Sequence, residues 1–127
     1  MWLFTKYGFY SAVCAKTMND ADPGQADRDR IVVRARVRRH LEALRSRFPG
    51  ELADSPVVDD EGTDYAYRLY VEKPVWKRVV AELVEELDYH NFKDAVYSVD
   101  GESAYESALH KVWWTLYDLQ SKEGGIE

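Results

Sequence analysis

Eight of the ten arginines in this chain lie between Arg28 and Arg47, against only Asp29 and Glu42, so the segment carries a local charge of +6. The whole chain of 127 residues stands at −6, which leaves −12 on the remainder. Arg34 and Arg36 alternate with Val33 and Ala35, a period of two that puts both guanidinium groups on one face of a strand. Arg68 alternates with Tyr67 and Tyr70 on a later strand and joins the set. A guanidinium fork matches carboxylate and phosphate oxygens, and tyrosine offers apolar area with a polar tip. Arg34, Arg36, Arg68, Tyr67 and Tyr70 are therefore the candidate binding surface of a non-catalytic module that holds an acidic partner or a second copy of itself. The competing account is that these arginines neutralise acidic loops of the same chain. RNA or single-stranded nucleic acid is the alternative ligand, because arginines beside aromatics suit phosphates and stacked bases. The acidic net charge and the absence of the aromatic motifs of RNA-binding sheets place that reading second.

Other residues have the types for catalysis without the arrangement. Asp88-Tyr89-His90-Asn91-Phe92-Lys93 brings an acid, an imidazole and an amine together for acid–base work, and a small enzyme using Asp88, His90 and Lys93 is the third reading. Neighbours on a helix point in different directions, so Asp88 is instead expected to cap a helix, with His90 and Lys93 in solvent. Glu86 with His90, and Glu106 with His110, stand four apart and could hold a divalent metal; the same spacing makes ordinary helix-surface contacts. Cys14 is the sole cysteine. A catalytic thiol there needs a basic neighbour such as His40, and a buried small hydrophobe is the simpler role. No catalytic residue, metal ligand or cofactor is assigned, since no phosphate-binding glycine loop, nucleophile elbow or metalloprotease helix occurs.

The elements that must position these residues follow from the pattern. Trp2 to Ala15 is aromatic and β-branched, the composition of a strand, with Gly8 marking a bulge or bend. Residues 16–30 are polar, with a turn at Asp22-Pro23-Gly24, and read as an exposed loop. Ile31 to Val37 alternates as a strand; Val37, Leu41, Leu44 and Phe48 then recur at helical spacing until Pro49-Gly50. Residues 49–64 are a second exposed loop, with six acids between Glu51 and Asp64. Tyr65 to Glu72 is the third strand. Pro74 opens a helix with Trp76, Val79, Val80, Leu83 and Leu87 inward. Asp88 to Ser98 forms a short helix, Asp100-Gly101 a turn, and Ser103 with Glu106 a capping box for a last helix ending at Gly124-Gly125.

This order predicts a single α+β domain over residues 1–127, a small, mainly antiparallel sheet with three to four packed helices. The unit from the second strand through its helix to the third is expected to be a parallel crossover. With the first strand between them, that is a split β-α-β arrangement related to ferredoxin-like sandwiches.

Met1–Val13 (MWLFTKYGFYSAV), Asp64–Arg68 (DYAYR) and Asp88–Lys93 (DYHNFK), with Val33–Arg36 and the Trp113 helix, resemble a family of small uncharacterised bacterial proteins. The resemblance spans most of the chain outside the two loops, which are longer and more acidic here. It implies a compact protein of one domain and carries over no catalytic residue. A composition that is 46% hydrophobic and 31% charged excludes disordered and collagen-like classes. One cysteine, no signal-peptide pattern and no apolar run long enough to span a membrane suggest a cytoplasmic protein.

Overall fold

The computed structural model describes residues 1–17 and 24–124. Asp22 and Pro23 of the expected turn, and Gly125 at the expected helix stop, lie outside the described residues. The chain divides into two compact units, Met1–Asp88 and Tyr89–Glu127.

The first unit is built on a five-stranded sheet in the order β1-β2-β3-β5-β4, with every neighbouring pair antiparallel. Its strands are β1 (Trp2–Thr5), β2 (Gly8–Lys16), β3 (Ala26–Ala35), β4 (Val58–Asp59) and β5 (Tyr67–Glu72), with α1 (Arg38–Arg47) and α2 (Lys73–Glu85) following β3 and β5. The α+β class and the antiparallel sheet agree with the sequence pattern; the strand connections do not. The parallel crossover and the split β-α-β order are replaced by an antiparallel β3–β5 pair with β3 central. After α1, residues 48–66 carry the chain back to the end of β3, so β5 starts with Tyr67 opposite Ala35 and runs the other way.

The expected first strand is two. Thr5 and Gly8 pair across a two-residue turn at Lys6 and Tyr7. Thr5 Oγ1 holds the turn: it accepts from the Tyr7 and Gly8 amides at 3.1 and 3.2 Å and donates to the Gly8 carbonyl at 3.0 Å. Gly8 is required by proximity, because a Cβ there would sit 2.3 Å from His40 Cγ. The expected loops are also shorter than their polar composition suggested. Lys16 and Ala26–Arg30 belong to strands, while Leu52 and Ser55 in the second loop are buried.

Both unit-one helices pack on one face of the sheet. Tyr10, Ala12, Ile31, Val33, Ala35, Leu69 and Val71 meet Leu41, Leu44 and Phe48 from the α1 side and Trp76 and Val79 from α2. This is the alternation of β3 and β5 set against the helical stripe of α1 and α2. Tyr67 belongs to this packed face, half-buried against the core. The opposite face carries the even-numbered β3 residues and their register partners, and neither α1 nor α2 covers it.

The second unit is a helical pair, α3 (Phe92–Asp100) and α4 (Ala104–Gly124). Ser103 Oγ caps α4 by accepting from the Glu106 amide at 3.0 Å, as its motif predicts. The cap of α3 is Asn91, whose side chain accepts from the Asp94 amide at 3.1 Å, and not Asp88. The helix therefore begins at Phe92, four residues later than expected.

Candidate anion-binding site

The sheet face opposite α1 and α2 is organised by the β3 ladder. Arg34 is opposite Ser11 of β2 and opposite Arg68 of β5. Val32 is opposite Val13 and Tyr70, and Arg30 is opposite Glu72. Side chains of opposed residues lie on the same face with Cβ atoms about 5 Å apart, and like charges in that relation repel. The sheet thus roots two arginine side chains directly opposite one another.

A break in the β2–β3 register opens a hollow beside them. The ladder leaves Cys14–Ile31 and resumes at Ala15–Asp27, so three β3 residues, Arg28 to Arg30, are passed over on the β2 side. The Asp29 amide donates to Asp27 Oδ1 at 3.0 Å within this bulge. Bulges re-aim side chains in this way. The resulting pocket, about 420 Å³, has Lys16, Arg30, Arg34 and Arg68 as its charged lining, Val13, Ala15 and Val32 as apolar surface, and Cys14 and Tyr70 as further walls.

Arg34 and Arg30 are held by neutral partners, and Arg68 by a carboxylate of the acidic loop. Arg34 Nη2 donates to Ser11 Oγ at 2.7 Å, and its guanidinium lies 4.5 Å from the Tyr65 ring centroid. Arg30 lies 4.5 Å over the Tyr70 ring. Arg68 Nε is 3.2 Å from Asp60 Oδ2, a charge contact in which the N–H is not aligned as a hydrogen bond. The Nε atoms of both Arg34 and Arg68 are buried without an acceptor. Buried donors of this kind cost free energy until an acceptor meets them.

Of the five residues read from the sequence, the structure brings Arg34, Arg68 and Tyr70 to one pocket. Arg36 stands outside it: its guanidinium lies 4.3 Å over Tyr65 and donates to the Asp64 carbonyl at 2.5 Å. Tyr67 is excluded, because one step along β5 turns it to the packed face. Arg30 and Lys16 were missed. Arg30 has the same parity as Arg34 and Arg36, so extending the strand by one residue would have found it; Lys16 reaches the pocket only through the register break.

The other chemical candidates separate. His40 is buried against the β1–β2 turn, where its Nδ1 accepts from the Phe9 amide at 3.3 Å. Cys14 stands six residues beyond Gly8 along β2, roughly 20 Å away, so His40 is not the base of a Cys14 thiol. Cys14 is half-buried in the pocket wall and not a core residue. Helix α2 ends at Glu85, which removes Glu86 and His90 from a common helix. Glu86 Oε1 instead accepts from the Tyr7 hydroxyl and from Arg47 Nε. Glu106 and His110 form a 3.7 Å contact on α4. Lys93 lies 5.1 Å over the Trp113 ring, while Asp88 and His90 are exposed. Among the described residues no three of His, Cys, Asp and Glu stand together as metal ligands, and no described helix is long and apolar enough to cross a membrane.

No family model, curated protein or solved structure matches this chain.

Proposed function

We propose that the protein is a non-catalytic binding module that holds an acidic partner at the pocket on the sheet face opposite α1 and α2, with Arg34, Arg68 and Arg30 as its cationic groups and Tyr70 as a wall. The observation that carries this reading is the direct opposition of Arg34 and Arg68 across β3 and β5. Evolving a fold around two adjacent like charges is costly, and sites that sacrifice stability in this way are typically functional. An anion between the two forks removes the repulsion and supplies the acceptors their buried Nε–H groups lack.

Sulfate serves as a minimal probe. A ligand that binds only the folded state raises the melting temperature by mass action. At matched ionic strength, sulfate is expected to raise the Tm of the protein by about 3 °C or more over chloride. The double variant Arg34→Ala with Arg68→Ala is expected to fold, having lost a repulsive pair, and to keep only the smaller rise that sulfate gives any folded protein by exclusion from its surface. An equal sulfate response in the variant would place anion binding elsewhere and refute the reading.

The same face favours a second reading, single-stranded nucleic acid. Trp2, 67% exposed, stands edge-on to Phe9 at 5.6 Å, next in the ladder to Ser11 and Arg34. Stacking on such a ring beside a phosphate contact is how single strands are held. The discriminating measurement is the binding of a fluorescent oligothymidylate. Affinity that falls steeply with salt and is lost in Trp2→Ala supports it; no binding at low salt removes it.

A further inference from the structure

We infer that the Arg34–Arg68 pocket recognises a phosphate monoester in its dianionic form; this rests on the anion-binding reading above and names the group that is bound. Four cationic side chains line the pocket, and no carboxylate lines it. The acids that border the pocket are Asp60 beside Arg68, Glu72 opposite Arg30 and Asp27 opposite Ala15. The lining stays cationic, and a phosphate monoester above its second ionisation at about pH 6 brings two negative charges to it.

The donor geometry agrees with the charge. Ser11 engages one terminal nitrogen of Arg34, which fixes the fork while the buried Nε–H groups of Arg34 and Arg68 lack acceptors. A phosphoryl group offers three terminal oxygens arranged in a pyramid, so it can accept from more than one of the cationic side chains that line the pocket. A single carboxylate offers two oxygens in one plane. Val13, Ala15 and Val32, with the Tyr70 ring, provide apolar surface for the carbon body of an ester. The pocket has the size of small-molecule sites.

Phenyl phosphate and phenyl sulfate share a ring and a tetrahedral head and differ by one charge, so they are the probes. By titration calorimetry at about pH 7.5, phenyl phosphate is expected to bind at least roughly tenfold more tightly, the effect of one further charge-assisted hydrogen bond. The advantage is expected to shrink to about twofold near pH 5, where the phosphate is largely a monoanion. The groups around the pocket are Lys16 and Cys14 on β2, Asp27, Arg30 and Arg34 on β3, Arg68, Tyr70 and Glu72 on β5, and Asp60 before it. No histidine is among them, and the second ionisation of the phosphate falls inside that window.

Arg34→Ala with Arg68→Ala is expected to abolish binding of both probes. Arg34→Lys keeps the charge and the fold but loses the fork, and is expected to lose most of the phosphate advantage. Equal affinity for the two probes at pH 7.5 would overturn the dianion inference and leave the anion site standing. Binding of both probes unchanged in the double variant would overturn the inference and the site together. A phosphotyrosyl peptide run beside phenyl phosphate separates the sources of the ester: tighter binding by the peptide supports a phosphorylated protein segment, and equal or weaker binding supports a small metabolite.

Discussion

At the scale of single residues, a polar contact outside the pocket joins Tyr7 with Glu86 and Arg47. Glu86 Oε1 accepts from the Tyr7 hydroxyl and, at 3.1 Å, from Arg47 Nε. The Tyr7 phenol is held above its ordinary value, first by burial and then by its hydrogen bond to, and the charge of, Glu86; Arg47 opposes the shift. The sign for stability follows from proton linkage. Above about pH 10 the unfolded chain has released a phenol proton that the folded chain keeps. Stability from this group is therefore complete below that pH and is lost as pH rises through the higher folded value. Urea titrations at about pH 9 and pH 11 should show the protein losing more stability across the interval than Tyr7→Phe, which has no phenol proton to release. Equal losses would mean the contact is not formed in solution.

At the scale of elements, the β1–β2 turn shows why part of the fold could not be read from residue types. Thr5-Lys6-Tyr7-Gly8 lacks the Asn-Gly or Asp-Gly pair that announces a two-residue hairpin. The turn is instead made by the Thr5 hydroxyl and by the absence of a side chain at Gly8 against His40, and the latter is a contact across 32 residues of sequence. Gly8→Ala must displace the imidazole or the turn, and is expected to cost about 1–3 kcal/mol or more, as for overpacking in a core. Chemical denaturation measures this; a change under about 0.5 kcal/mol would show that the hairpin gives way freely. Where pattern alone decides, the sequence was sufficient. The alternation from Ile31 to Ala35, the stripe of Leu41, Leu44 and Phe48, Pro74 at the start of α2 and the Ser103 cap all appear where expected. The same alternation puts Arg34, Arg68 and Tyr70, three of the five candidate residues, along one pocket. The pocket itself was not, because it depends on a register break at Cys14 and Ala15 that no local preference marks.

At the scale of the molecule, the clustered core from Tyr10 to Val79 lies wholly within Met1–Asp88. A chain of residues 1–88 is therefore expected to unfold cooperatively by itself and to keep the sulfate response of the intact protein. Residues 89–127, close to the lower limit for an independent core, are expected to be at most partly helical in isolation. Circular dichroism of the two fragments tests both statements, and an unfolded 1–88 fragment would show that the first unit does not fold by itself. The arginines of the face opposite α1 and α2 also constrain how that unit assembles. Along β3, Arg30 and Arg34 alternate with Ile31, Val33 and Ala35, and Arg68 alternates with Leu69 on β5. If either strand were threaded one position out of step, its arginines would be driven beneath α1 and α2, into a region with nothing to receive a charge. The correct threading is thus protected by the penalty on every neighbouring one, and replacing these side chains with apolar ones would remove a safeguard against mispairing as well as a binding surface.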